Sequence, residues 1–193
     1  MKNELNILIV GVGGQGSLLA SRILGNALLL SGSEVKVSEV HGMSQRGGSV
    51  VTYVRSGERV DSPVICEGEA DVILSFEELE AARWLPFLKK GGVIVTSTQH
   101  IMPMPVITGM ASYPDAVSDK LKAAGVRVVA VDALSIAREA GNEKAANVAL
   151  IGVLSRYLGI EEELLRQALA MSVPEKLLAV NEKAYALGRE AAL

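Results

Sequence analysis

The chain has 193 residues, of which 49% are hydrophobic and 21% charged, and its formal net charge is −3 at pH 7. This acidic balance lacks the positive charge on which nucleic-acid binding depends, so we exclude a nucleic-acid partner. The length favours a single domain over residues 1–193. The high apolar fraction predicts either a well-filled core or an apolar surface that a partner covers.

Cys66 is the only cysteine, which excludes an intramolecular disulfide and a four-cysteine iron–sulfur or zinc site within this chain. It ends the apolar stretch Pro-Val-Ile-Cys, so we expect a buried structural thiol. The chain runs from Met1 into a short strand without a signal peptide, and glycines, Arg22 or Asn26 interrupt the longest apolar stretches before membrane-spanning length. We therefore expect a cytoplasmic protein with no membrane partner.

The first predicted element is a buried strand over residues 7–10, which a glycine-rich turn joins to a helix over residues 17–30. Gly11, Gly13 and Gly16 fit the spacing G-x-G-x-x-G. In that motif the glycines allow a tight turn, a close approach of phosphate to the backbone, and close packing of helix on strand. The positive end of the helix would face the anion. A tight strand–helix corner without a ligand is the alternative.

A second glycine-rich loop lies between predicted strands over residues 34–40 and 49–55. Four of its residues combine free backbone N–H groups with a forked cation, which suits phosphate or carboxylate. These residues are Gln45, Arg46, Gly47 and Gly48. We expect both loops at the carboxyl ends of adjacent strands, the edge where open α/β sheets bind ligands. An ordinary surface loop is the alternative.

The remaining pattern alternates strands with helices up to residue 131 and is helical afterwards. Residues 60–66 are predicted to pair with the third strand as a hairpin, which gives the sheet a mixed edge. Further predicted elements are strands over 70–76, 93–96 and 126–131, helices over 77–88 and 115–124, a loop over 98–114, and a buried helix from residue 147. The expected fold is α/β: a doubly wound, mostly parallel sheet with a mixed β-hairpin edge and a helical C-terminal region.

No catalytic set stands out: there is no Ser/His/Asp arrangement, acid pair or metal-ligand cluster. Asp132 is predicted to cap the helix that follows it. The simplest enzyme alternative is an NAD-dependent dehydrogenase, in which Glu39 at the end of the second strand would bind the ribose. The basic, glycine-rich loop after Glu39 is unusual beside an adenosine. We therefore expect the chain to position or cover a site whose chemistry lies elsewhere.

The chain resembles the gamma-type subunits of the 2-oxoacid:ferredoxin oxidoreductases, and within that family the indolepyruvate type. The resemblance rests on Gly11-Val-Gly-Gly-Gln-Gly16 and on Glu39-Val-His-Gly-Met-Ser-Gln-Arg-Gly-Gly-Ser-Val-Val51. Shorter matches follow in order at Tyr113-Pro114, Ala146-Asn147, Val173-Pro174-Glu-Lys and Asn181-Glu-Lys-Ala-Tyr185. The Met-Ser-Gln-Arg-Gly-Gly stretch is fairly specific, whereas the glycine turn alone is not. Tyr185 stands where the family is expected to have Phe.

The resemblance implies a subunit of a complex that oxidatively decarboxylates a 2-oxoacid, gives the acyl group to coenzyme A and passes electrons to ferredoxin. In such complexes thiamine diphosphate and 4Fe-4S clusters lie in a larger partner subunit. This chain alone is therefore expected to bind none of these cofactors, to be inactive and, as an alternative to the complex, to form a homodimer. Pyruvate, 2-oxoisovalerate and 2-oxoglutarate enzymes share the domain, so their gamma subunits remain alternatives.

The resemblance also implies a place beside the active site and a part in binding coenzyme A as co-substrate. We expect no catalytic residue and no metal ligand in this chain. The predicted cofactor-binding residues come from the two glycine-rich loops: Gly11, Gly13, Gly14, Gln15, Gly16, Gln45, Arg46, Gly47 and Gly48.

Overall fold

The computed structural model describes residues 4–40 and 48–192, and these residues form a six-stranded sheet. The strands are β1 (Leu5–Val12), β2 (Glu34–Val40), β3 (Ser49–Gly57), β4 (Ala70–Ser75), β5 (Leu88–Ser97) and β6 (Arg127–Val131). Their order across the sheet is β2-β3-β1-β4-β5-β6. Strands β1, β4, β5 and β6 are parallel to their neighbours in this group, whereas β3 is antiparallel to both β1 and β2.

Helices cover both faces of the sheet. They are α1 (Ser17–Leu30), α2 (Glu78–Arg83), α3 (Met104–Ile107), α4 (Val117–Ala123), α5 (Ala133–Ala140), α6 (Ala146–Leu154), α7 (Glu162–Ser172) and α8 (Glu175–Ala191). Side chains alternate between the faces of a strand, so the apolar run of β1 packs in both directions. Ile7 and Ile9 pack with residues of α1, α6 and α7. Leu8 and Val10 pack with residues of α2 and α4 on the opposite face.

Helix α6 is buried between the sheet and α8, and the two helices meet at glycines. A Cβ atom at Gly152 of α6 would lie 2.1 Å from the carbonyl oxygen of Tyr185, and one at Gly188 of α8 would lie 2.0 Å from that of Ala149. Both neighbours are backbone atoms, which a rotamer change cannot move. The close packing of α6 against α8 therefore requires glycine at both positions.

The predicted fold class is confirmed, but the mixed edge differs from the prediction. The hairpin partner of β3 is β2, and residues 60–66 contain no strand. Pro63 has no N–H for a ladder, and side chains satisfy backbone groups nearby: Arg55 donates to the carbonyl of Val64, and the carboxylate of Glu69 accepts from the N–H of Cys66. Since β3 lies between β1 and β2, the prediction that these two strands are adjacent is wrong.

Two further predictions are corrected by the structure. The helix predicted over 77–88 ends at Arg83, because a 3₁₀ turn over Leu85–Phe87 containing Pro86 follows, and β5 then begins at Leu88. The Cys66 thiol is exposed rather than buried, since its segment runs over the surface without joining the sheet. Within residues 4–40 and 48–192, no helix has the length and apolar character needed to cross a bilayer.

Candidate functional site

The glycine-rich turn lies at the carboxyl end of β1, where it leads into α1. The N–H of Gly13 donates to the carbonyl of Gly48 at 2.9 Å, so the start of β3 lies directly beside the turn. Gly14 has φ +102°, and no described atom lies within 4 Å of the position its Cβ would take. In the described part of the chain, no side chain caps α1 and no acidic residue lies in its first turn. No described atom therefore covers the outer side of the turn at Gly14, and the positive end of α1 faces that side.

Gln15 ties the ends of β1 and β4 together. Its Oε1 accepts from the N–H of Val12 at 2.7 Å, and its Nε2 donates to the carbonyl of Phe76 at 3.0 Å. A Cβ at Gly11 would lie 2.8 Å from Gln15 Oε1, so glycine at this position leaves room for the amide. The direction of chain winding reverses between β1 and β4, and ligands of doubly wound sheets bind in the crevice at such a point. Here the Gln15 side chain bridges the two strand ends.

Asn147 fixes the other end of the turn from a distant part of the chain. This buried residue of α6 donates from Nδ2 to the carbonyl of Gly16 at 3.2 Å. Gly16 has φ +88°, and a Cβ there would lie 2.4 Å from Asn147 Nδ2. Both the left-handed backbone and the lack of space require glycine. The third glycine of the motif therefore makes room for Asn147 of α6.

The structure brings together only part of the second predicted loop and the turn. Gly48 contacts the turn, whereas Gln45, Arg46 and Gly47 lie outside the described residues. Glu39 does not lie next to β1, because Thr52 of β3 stands between Glu39 and Ile9 in register. Its carboxylate accepts from the hydroxyl of Ser21 on α1 at 2.9 Å.

Three buried carboxylates, which the sequence analysis did not single out, line the same edge of the sheet. Glu77, Glu78 and Glu80 follow β4 directly and are 1%, 8% and 4% exposed. Glu80 accepts from the hydroxyl of Ser49 and from Arg83 Nε at 3.0 Å. In the sequence these acids fall at the start of the helix predicted over 77–88. Their position immediately after a buried parallel strand was the available signal that they belong to the ligand-binding edge of the fold.

Glu77 and Glu78 hold the long connection between β5 and α4. Glu77 accepts from the hydroxyl of Tyr113 and from the N–H groups of Ile101 at 3.4 Å and Glu80 at 2.9 Å. Glu78 accepts from the hydroxyl of Ser118 and lies 3.0 Å from His100 Nε2, whose ring stacks on that of Tyr113 at 4.6 Å. Glu77 is thus satisfied by uncharged donors. Within the described residues, no three His, Cys, Asp or Glu side chains are arranged to bind a metal ion.

Burial, and next the Glu77 carboxylate, raise the pKa of the Tyr113 phenol above its usual range. Replacing Tyr113 with Phe should lower the free energy of unfolding at pH 7 by about 1 kcal/mol, because the hydrogen bond to Glu77 is lost. In the wild type the unfolded chain releases the Tyr113 proton above a pH of about 10 while the folded chain retains it. The wild type should therefore lose stability relative to the variant as the pH rises above 10.

Urea denaturation of the two proteins between neutral and strongly alkaline pH measures this difference. A difference in unfolding free energy that stays constant over the whole range would contradict the assignment.

The cap predicted at Asp132 is confirmed: its carboxylate accepts from the N–H of Ser135 at 3.0 Å, and hydrogen bonds from Ser135 lower the pKa of Asp132.

Comparisons with known proteins identify a matching family and similar proteins. The family model described as pyruvate ferredoxin/flavodoxin oxidoreductase matches residues 6–191. The chain is 48% identical to indolepyruvate oxidoreductase subunit IorB of Thermococcus kodakarensis, covering 98% of this chain and 96% of that protein. It is 30% identical to ketoisovalerate oxidoreductase subunit VorA of Methanothermobacter marburgensis, covering 97% of this chain but 36% of that protein.

Two solved structures share the fold. The gamma subunit of a keto/oxoacid ferredoxin oxidoreductase from Geobacter sulfurreducens superposes with a TM-score of 0.73 at 24% identity, covering 97% of this chain and 98% of that one. A 2-oxoglutarate:ferredoxin oxidoreductase from Magnetococcus marinus, with 2-oxoglutarate, coenzyme A and succinyl-CoA bound, gives a TM-score of 0.76 at 22% identity. That match covers 100% of this chain and 31% of the other.

Proposed function

This chain belongs to the pyruvate ferredoxin/flavodoxin oxidoreductase family, and from that premise we propose that it is the small subunit of an indolepyruvate:ferredoxin oxidoreductase. The observation that carries the proposal is its 48% identity, over nearly the full length of both chains, to an indolepyruvate oxidoreductase subunit. The reaction removes CO₂ and two electrons from the 2-oxoacid, joins the acyl group to the sulfur of coenzyme A, and reduces ferredoxin one electron at a time. Residues 1–193 act in it as one domain.

The larger subunit holds thiamine diphosphate and the 4Fe-4S clusters in this proposal. The single cysteine of this chain agrees with that division, because a 4Fe-4S cluster needs four cysteine ligands. The part left to this chain is to bind and orient coenzyme A beside the reacting acyl group. Ferredoxin meets the complex rather than this chain alone.

The residues of the glycine turn fit a phosphate group of coenzyme A. No described atom lies over Gly14 on the outer side of the turn, and α1 presents its positive end there with no acidic residue in its first turn. In this proposal Gly11, Gly13, Gly14 and Gly16 shape the phosphate site together with Gly48, and the predicted loop residues Gln45, Arg46 and Gly47 also belong to it. Gln15 is a positioning residue, because both polar atoms of its side chain are already bonded to the backbone.

The same contacts disfavour the dehydrogenase alternative. A dinucleotide would place its pyrophosphate over the crevice between β1 and β4. The Gln15 amide bridges the two strand ends at that point, and β3 separates Glu39 from β1. The acid that would bind the ribose is therefore one strand too far from the turn.

Copurification from the native host tests the proposal. We expect the chain to be recovered with a larger, iron-containing subunit, and the complex to reduce ferredoxin or viologen dye with indolepyruvate and coenzyme A. In a panel of 2-oxoacids, preference for pyruvate, 2-oxoisovalerate or 2-oxoglutarate would reassign the substrate. Turnover by the pure chain alone, or its recovery only as a free monomer, would overturn the proposal.

In the complex, Arg46→Ala should raise the half-saturating concentration of coenzyme A by roughly tenfold to a hundredfold, because one charge-assisted contact to coenzyme A is lost. Glu39→Ala is the matched control and should change it little, because the Glu39 carboxylate bonds to Ser21 of α1. An unchanged coenzyme A dependence of Arg46→Ala would contradict the role given to Arg46. Calorimetry of the isolated chain with NAD tests the dehydrogenase alternative. Micromolar binding of NAD that Glu39→Ala abolishes would favour that alternative.

A further inference from the structure

The connection between β5 and α4 spans residues 98–116 and is unusually long; we call residues 98–114 of it the methionine loop. Most connections in compact domains have about 4–6 residues, and much longer ones are usually functional or disordered. From Thr98 to Pro114 the sequence contains no Asp, Glu, Lys or Arg, although 21% of the whole chain is charged. Depletion of charge is typical of the centre of a protein–protein interface.

The methionine loop also exposes large apolar side chains. Met102, Met104, Ile107 and Met110 are 46%, 63%, 65% and 77% exposed. Methionine is enriched at interfaces, where its flexible, polarisable side chain adapts to a partner surface. A run of uncharged residues that exposes four such side chains within nine positions is therefore a candidate docking surface.

This loop is ordered by bonds of its own, so it presents its apolar side chains in a fixed arrangement. At its tip, α3 and the turn after it are closed by bonds from the N–H of Thr108 to the carbonyl of Met104 and from the N–H of Met110 to that of Pro105, at 2.9 and 2.8 Å. At its base, the buried Glu77 accepts from both ends of the loop, at Ile101 and Tyr113. A surface that is already ordered loses little conformational entropy when a partner binds.

We propose that the methionine loop is the docking surface for the larger, thiamine- and cluster-binding subunit of the complex. This inference rests on the proposed function and assigns the partner to one surface. The loop leaves the carboxyl end of β5 and is held at the carboxyl end of β4, so it lies on the same edge of the sheet as the glycine turn. A subunit that supplies the chemistry for a ligand at that edge must approach it.

The longer relatives support this occupant. The chain covers 36% of VorA and 31% of the Magnetococcus enzyme chain, so in each of those proteins the matching region continues into a much larger polypeptide. The match to IorB covers 96% of that protein, so IorB is a small chain without such a continuation. Association with a larger subunit must then come from an exposed surface, and the methionine loop is uncharged, apolar and ordered.

Methionine oxidation footprinting tests the inference with an internal control. Met171 of α7 is 61% exposed, close to the 63% of Met104, but lies outside the loop. The isolated chain and the purified complex are treated with dilute hydrogen peroxide, and sulfoxide at each methionine is measured by mass spectrometry. We expect Met102, Met104 and Met110 to oxidise much more slowly in the complex, and Met171 to oxidise equally in both.

A double variant, Met104→Glu with Ile107→Glu, gives an independent readout, with Leu29→Glu on α1 as the control at a similarly exposed apolar position. The loop variant should bind the larger subunit at least about tenfold more weakly, as expected for interface anchors. The control should bind normally, and circular dichroism should show both variants folded.

The outcomes separate this inference from the proposed function. A complex that forms without protecting the loop methionines, or that binds the loop variant normally, overturns the docking surface and leaves the function intact. Absence of any larger subunit overturns both. Protection that appears in the isolated chain on raising its concentration would assign the surface to a second copy of the chain, and would also overturn the inference.

Discussion

Alanine at Gly188 should lower the free energy of unfolding by about 3 kcal/mol, the upper end of the range for overpacked cores. The added Cβ would lie 2.0 Å from the carbonyl oxygen of Ala149, which belongs to α6. Relief would require α6 to move, but α6 is buried on all sides between the sheet and α8. Gly152→Ala should act similarly, because its Cβ would lie 2.1 Å from the Tyr185 carbonyl. Urea denaturation followed by circular dichroism measures both.

Gly25→Ala is the matched control for the same substitution within a helix. Gly25 lies in α1, and among the described atoms its Cβ would meet only Val37 Cγ2, at the ordinary contact distance of 3.7 Å. Alanine there should stabilise the chain by about 0.5–1 kcal/mol, because glycine is the poorer helix former. If Gly188→Ala does not lower the free energy of unfolding relative to Gly25→Ala, then α6 and α8 are less closely packed than the structure indicates.

Removal of the Glu77 carboxylate should also cost about 3 kcal/mol, since each buried donor left unpaired costs roughly 1–3 kcal/mol and some will find water. In Glu77→Ala the hydroxyl of Tyr113 and the N–H groups of Ile101 and Glu80 lose their acceptor together. Stability should also be lost locally, at the base of the methionine loop. Hydrogen exchange at the N–H of Ile101 should become faster than in the wild type.

Glu77→Gln separates the shape of the side chain from its two acceptor oxygens. The amide oxygen can still accept at one side, whereas the NH₂ group faces a donor at the other, so the expected loss is about 1 kcal/mol. Equal stability of Glu77→Ala and the wild type would mean that the carboxylate does not hold the base of the methionine loop.

The elements of the sheet were predictable from local pattern, but their neighbours were not. The predicted second strand over residues 34–40 coincides with β2, since alternation of side chains is a property of the segment itself. Which strand pairs with which depends on contacts far apart in sequence. Residues 60–66 were predicted to be the hairpin partner of β3, and the pattern did not show that β3 instead lies between β1 and β2.

The candidate site shows the same division. The strand–turn–helix unit around Gly11–Gly16 follows from glycine spacing and is confirmed as a structural element. The burial of Glu77 does not follow from its neighbours in sequence, because its partners include Ile101 and Tyr113. Nor does glycine spacing reveal Asn147, which reaches Gly16 from α6 across 131 positions.

The crosslink made by Gln15 sets a limit on chemical ageing of this chain. Val12 offers a donor and Phe76 an acceptor, so the side chain between them must carry one group of each kind. Deamidation would convert Gln15 to glutamate, whose second oxygen would face the Phe76 carbonyl with no proton to share. It would also put a negative charge beside the open end of α1, where the proposed phosphate binds. Heat damage at this one amide would therefore loosen the strand ends and repel the ligand together, and Gln is among the thermolabile residues.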